Sequence, residues 1–228
     1  MATTRAQLIQ HVALRMDEVS PEIEADDLVV DGSDGNPLYT LIDGLVDGGA
    51  LELFSVAPYW RLPQKAFQNI STEQLPALYY SRWIIRLKVA DDFLRVAEIS
   101  CTGFQRPITE VVPEMSEAGK RQHNRFLMGK EAKPVGVISH GKWGSGGSAT
   151  QCREIDCYSL ASEPNEVEAT YIPKPTMPES GSASDVETVI PPVLLPALEW
   201  LIAARTFGAR GDANHAAICQ QNAQNVLV

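Results

Sequence analysis

The sequence predicts an α+β chain in which helices from both ends form one body and a β-rich stretch lies between them. Three observations carry this. Apolar residues recur at helical spacing in the first sixty residues, the period changes to strand alternation near Arg82, and helical spacing returns after Pro191. The helical body is expected from residues 1–62 and 188–228, the β-rich insertion with one helix from 79–175, and a Ser- and Pro-rich linker at 173–187.

The first helix follows from the stripe Leu8, Ile9, Val12, Ala13, Met16 and Val19, with Thr3 or Thr4 as cap and Ser20-Pro21 as stop. Residues 22–36 read as an acidic loop or short extended piece, and Asn36-Pro37 supplies a cap followed by a first-turn proline. Leu38, Leu41, Ile42, Leu45, Gly49, Leu53 and Val56 then share a face up to Ala57-Pro58. Gly44, Gly48 and Gly49 each weaken that helix by about 1 kcal/mol relative to alanine, so the sequence predicts that another element comes close there.

In the middle, Trp83, Ile85, Leu87 and Val89 alternate with Arg82, Arg86 and Lys88, which predicts a strand. Ala90-Asp91-Asp92 would turn the chain so that 93–100 returns as its partner strand. A basic helix is expected over 116–128 with Lys120, Arg121 and Arg125, followed by strands at 133–139, 151–158 and 166–172. The run 141–148, GKWGSGGS, fits a hairpin tip between two of these.

The end of the chain predicts a helical hairpin. Pro191-Pro192 opens it, and Leu194, Leu198, Leu201, Ile202 and Arg205 recur at helical spacing. Gly208 and Gly211 supply the turn, and Asp212 is placed to cap a second helix. That helix repeats Ala213, Ala216, Ala217, Ile218 and Ala223 among Gln220, Gln221, Asn222, Gln224 and Asn225. It has little apolar surface of its own to bury, so its order is expected to depend on a partner.

The chain has 228 residues, 44% of them apolar, and a net charge of −10. That charge is unevenly spread. Residues 1–60 carry a net −9, residues 61–150 a net +5 and residues 151–228 a net −6. An acidic chain is a poor general nucleic-acid binder, because phosphate affinity comes from Lys and Arg displacing counterions. No apolar run is long enough to span a membrane, and the N-terminal charges and amides do not fit a signal peptide. The four cysteines are therefore expected as thiols in a reducing compartment.

Candidate chemistry is sparse. In GKWGSGGS, Lys142 precedes the glycines, whereas a phosphate loop needs it after the last one. Cys152 and Cys157 fall on opposite faces of one strand with no second pair to complete a zinc site, so neither metal nor cofactor is expected. His215 and Cys219 share a helical face but lack further ligands. Asp91 and Asp92 fit a turn better than acid–base chemistry, and no nucleophile motif is present. Arg210-Gly211-Asp212 lies where the helical turn needs its glycine and cap. The sequence does not read as an enzyme.

The whole layout resembles the head–tail connector (adaptor or ring) proteins of tailed bacteriophages, most of all the ring proteins of podovirus-like, crAss-like phages. Three stretches carry the resemblance across nearly the full chain. They are RAQLIQHVALRMDE followed by NPLYTLIDGLVDGGALELFSVAP; DDFLRVAEISCTGFQRPITEV, a polar helix with Gln122 and Asn124, then KPVGVI; and IPPVLLPALEWLIAARTF before a small, amide-rich final helix. The resemblance implies a structural virion protein, made in the host cytoplasm, that forms a cyclic and typically dodecameric ring with copies of itself. Its other partners would be the portal protein, a tail or second ring protein, and genomic DNA passing through the lumen without sequence-specific binding. By the same resemblance Leu198, Trp200, Leu201, Arg205, Asp212, Ala216, Gln220 and Ala223 would dock on the portal or a neighbouring subunit. Lys120, Arg121 and Arg125 are candidates for charge contacts between subunits. Two alternatives come from other classes: a cytoplasmic protein-binding module that uses the basic helix, and a hydrolase or transferase that uses Asp91 and Asp92 with His123 or His140.

Overall fold

A computed structural model describes residues 3–19, 37–75, 82–124, 126–143, 150–182 and 184–228. The chain is α+β, with helices at both ends and strands between. It divides into two compact units: residues 1–63 with 174–228, and residues 64–173. The acidic segment 22–36 and the tip of the glycine-rich hairpin, 144–149, lie outside the described residues.

The first unit is helical. Helix α1 (Arg5–Val19) starts with a reciprocal cap: the Gln7 N–H donates to Thr4 Oγ1 at 3.3 Å, and the Thr4 N–H donates to Gln7 Oε1 at 3.0 Å. Its buried face is Leu8, Ile9, Val12, Ala13 and Met16, as the stripe predicts. Helix α2 (Pro37–Val56) buries Leu38, Ile42, Val46, Gly49, Ala50, Leu53 and Phe54. Val56, expected inside, is instead 56% exposed. The reason is that α2 turns a row four residues apart toward its neighbour, which favours Val46, Ala50 and Phe54 over Leu41, Leu45 and Val56.

That neighbour is α4 (Leu195–Ala209), which packs against α1, α2 and α5 (Ala213–Leu227). It is buried on nearly every side through Ala197, Leu198, Leu201, Ile202, Ala203, Ala204 and Phe207. A side chain at Gly49 would sit 2.5 Å from Ile202 Cγ1, and one at Gly48 would sit 2.8 Å from Arg205 Nη1. Those two glycines let the helices approach. Gly44 does not, since nothing lies within 4 Å of its missing Cβ.

The α4–α5 turn uses Gly211 at φ +84°, a left-handed conformation that suits glycine, and Asp212 Oδ1 accepts from the His215 N–H at 3.1 Å. Helix α5 then buries Cys219 and Ala223 completely, its His215 ring lies 5.3 Å from Phe207, and Arg61 Nη1 donates to the Leu227 carbonyl near its C-terminus at 3.2 Å. Helix α5 is thus seated against α4 and tied to Arg61 within its own chain, more support than its sparse apolar residues led the sequence reading to expect.

Residues 174–187, expected as linker, are also part of the helical unit. Met177, Val186 and Ile190 are buried, and Thr4 pairs with Asp185. Arg5, itself buried, donates to Asp43 Oδ1 (2.6 Å), the Asp43 carbonyl (2.9 Å) and the Pro178 carbonyl (2.9 Å). One guanidinium thereby joins α1, α2 and the returning chain. Proline and serine misled the composition reading because the apolar anchors are spaced singly.

The second unit is built from two sheets over a common core. One has the order β1-β8-β4, from Lys65–Ala66, Val167–Pro173 and Phe93–Cys101. The other has the order β2-β3-β7-β6-β5, from Ile70–Gln74, Trp83–Lys88, Thr150–Leu160, Val135–Trp143 and Val111–Pro113. Among the described residues, the β5–β6 pair alone is parallel. The expected hairpin between β3 and 93–100 does not form. After the turn at Asp91-Asp92, β4 enters the opposite sheet, so Ile85, Leu87 and Val89 share the core with Phe93, Val96 and Ile99. Phe67, Phe93 and Tyr171 close it with ring centroids 5.0–6.1 Å apart. Strands β1, β2 and β5 were not foreseen, and they start the insertion at residue 64 rather than 79.

Candidate docking surface

On α4, the residues implied as docking contacts separate by burial. Leu198 is 0% and Leu201 4% exposed. They are core positions, and reading them as surface contacts is corrected, because α4 is the central helix of its unit. Trp200 is half-buried beneath the Arg15 guanidinium, 5.1 Å from the ring centroid. Arg15 is held there by Glu199 Oε2 (3.0 Å) and Glu18 Oε2 (3.2 Å), while His11 Nδ1 lies 3.2 Å from the other Glu199 oxygen. Burial opposes the charge on Arg15, but its bonds to Glu199 and Glu18 outweigh that and raise its pKa. Arg205 is exposed and pairs with Glu52 at 2.7 Å, fixing α4 to α2.

On α5, Ala223 is buried, Ala216 is half-buried and Gln220 is exposed. Asp212 is occupied at the helix cap, where its second oxygen contacts the His215 ring; this contact holds its carboxyl below the usual range. Beside Gln220 runs a groove of about 430 Å³ between α5 and the end of α2, lined by Glu52, Val56, Pro58, Leu201, Gln224, Leu227 and Val228.

In the β-rich unit the basic helix is shorter than expected. Helix α3 spans Glu117–Gln122, because the chain turns at His123 and Asn124. Lys120 and Arg121 are exposed, and Arg121 is paired with Glu117 one turn earlier. Arg125 lies outside the described residues. Sequence reasoning missed the three large apolar side chains around this helix: Met115 is 79%, Phe126 74% and Leu127 58% exposed. Their signal was present as apolar residues interrupting a polar segment, with no periodicity to assign them a face.

Of the residues considered for acid–base chemistry, Asp91 and His140 line one recess, whereas Asp92 and His123 are engaged elsewhere. Asp92 is bound to Lys65 Nζ at 2.6 Å and accepts from the Tyr171 hydroxyl at 2.9 Å. Lys65 holds the Asp92 carboxyl below its usual value, and burial together with Asp92 pushes the Tyr171 hydroxyl up to about 12. Both Asp92 oxygens thus tie β1 and β8 to the β4 turn. His123 stands edge-on to Tyr158 at 5.9 Å. Asp91 and His140 line an open recess of about 930 Å³ with Lys88, Gln151, Cys152 and Arg153.

A charged cluster occupies the five-stranded sheet. Arg86 forms a two-pronged pair with Asp156 (2.8 and 3.1 Å), contacts Glu73 at 2.9 Å and lies 3.8 Å from Glu154. Glu154 is 8% exposed, and its Oε2 has no hydrogen-bond partner. Burial raises its pKa, with Asp156, Glu114 and Glu73 adding to the effect against Arg86. Among the described residues, no group of three or more His, Cys, Asp or Glu side chains is arranged to hold a metal ion, and no helix is long and apolar enough to cross a membrane. The chain matches no protein-family model and no curated protein.

Proposed function

We propose that the chain is a structural subunit of the head–tail connector of a tailed bacteriophage: copies form a cyclic ring between the portal vertex and the tail, and the ring extends the DNA channel. The observation that carries this reading is a helical body assembled from both chain ends and interrupted by a β-rich unit, the arrangement implied by the resemblance. The acidic balance of the chain supports passage of DNA without retention, since phosphates are repelled rather than bound. Among the described residues, surfaces open to partners include the half-buried Trp200 with Arg15, the Gln220 groove and the segment around α3. A ring interface is heterologous and needs two different patches on each subunit, which the acidic first third and the basic middle provide. Quantitative mass spectrometry of purified virions tests the reading. The chain is expected at a copy number close to that of the portal protein, and its absence from virions would overturn the proposal.

A further inference from the structure

Residues 113–124 and 126–129 form a lobe at the β5 edge of the five-stranded sheet, braced from within. Ser116 caps α3, accepting from the Gly119 N–H at 3.0 Å. The buried Gln122 amide donates to the Ala118 carbonyl at 3.0 Å and accepts from the Gly129 N–H at 2.7 Å. Gly119 lies so close to the Pro113 and Glu114 carbonyls that no side chain fits there. A segment with this much internal bonding has a fixed shape, yet it presents Met115, Phe126 and Leu127 to solvent. Single exposed apolar side chains are ordinary, whereas several on one short ordered lobe mark an interaction surface. Lys120 and Arg121 are exposed on the same lobe and Lys130 follows it; Glu117 pairs with Arg121 and Glu114 is also exposed, so Lys120 and Lys130 carry the lobe's positive excess.

Such a surface suits a partner that is both apolar and anionic. The most acidic stretch of the chain has this character. Between residues 22 and 34 stand Glu22, Glu24, Asp26, Asp27, Asp31 and Asp34, with no Lys or Arg, and Ile23, Leu28, Val29 and Val30 are set among them. We propose that the lobe around α3 of one subunit receives the acidic segment 21–36 of a second copy of the chain. Its aliphatic side chains cover Met115 and Leu127, and its carboxylates face Lys120 and Lys130. This rests on the ring reading, and it names the two patches that a heterologous interface requires.

The test uses the full chain at a dilution where it is monomeric, titrated against a fluorescent peptide of residues 20–36 and followed by anisotropy. The peptide is expected to bind saturably and to release as salt rises. A Met115→Ser/Leu127→Ser double variant and a Lys120→Glu variant, each checked for an unchanged thermal midpoint, are both expected to bind it about tenfold more weakly. A scrambled peptide of the same composition should show the same weakening with the native chain. No binding by the native chain, or equal binding of the scrambled peptide or by the double variant, would overturn the proposal. So would a lobe that prefers anionic lipid vesicles to the peptide. The two readings fail separately: rings that form without peptide binding reject only this contact, and peptide binding by a chain absent from virions rejects only the connector.

Discussion

Arg5 shows how much one side chain can organise. It is buried, and among the described residues its side-chain hydrogen bonds go to carboxylates and carbonyls outside its own helix. Arg5→Ala leaves Asp43 and the Pro178 carbonyl without their donor, so a loss of about 3 kcal/mol in chemical denaturation is expected. Glu154 is the opposite case, a buried carboxyl with an oxygen left unbonded. Its pKa is raised above an ordinary value of 4.5. Its contribution is therefore fully present below that value and lost as pH rises through the higher folded one. Glu154→Gln is expected to gain about 1 kcal/mol at neutral pH and to flatten the stability profile above pH 4.5, as read by thermal melts across pH. A variant less stable than the native chain at neutral pH would show that the charge is needed by Arg86.

At the level of elements, the glycines of α2 separate propensity from packing. Gly44→Ala meets open space and is expected to stabilise by about 1 kcal/mol through helix propensity alone. Gly49→Ala gains the same propensity but forces a methyl group onto Ile202, which is fully buried and has nowhere to move. A net loss of about 1 kcal/mol is expected, and opposite shifts in the two melting curves would establish the difference. The sequence made the glycines conspicuous but could not distinguish these roles, because close approach depends on which residue of α4 lies opposite. The same limit applies to the strands. Alternation in Trp83–Val89 was legible, whereas the sheet that β4 joins is decided by pairing with β8, far along the chain. Helix stripes were legible where one face is apolar. On α4 nearly all faces are buried, so Leu198 and Leu201 gave no sign of which side was outward.

For the whole molecule, two cysteines report on two cores. Cys157 lies inside the β-rich unit and Cys219 inside the helical one, both at 0% exposure, and burial raises both thiols, Cys219 up to about 11. Cys152 is partly exposed. Alkylation followed by mass spectrometry is expected to modify Cys152 first in the native chain. Cys157 and Cys219 should become reactive only as denaturant opens their own units, giving a separate stability for each. Early modification of Cys219 would mean that α5 leaves α4 in the free chain. The candidate docking surface was the least legible part of the sequence, since Met115, Phe126 and Leu127 draw their meaning from exposure, which only the fold assigns.

The pairing of β1 with β8 sets Lys65 opposite Tyr171 and Ala66 opposite Thr170, so the strand that begins the β-rich unit lies beside the strand that ends it. From the standpoint of the helices, more than a hundred residues enter and leave through a gap that a few residues could bridge. Closing a loop whose ends are already joined adds little entropy cost to the host. Replacing residues 64–173 by a short Gly-Ser bridge should therefore leave the terminal helices folding cooperatively, as seen by circular dichroism. In a lineage of such chains, the middle could then be exchanged for another module without redesigning the ends.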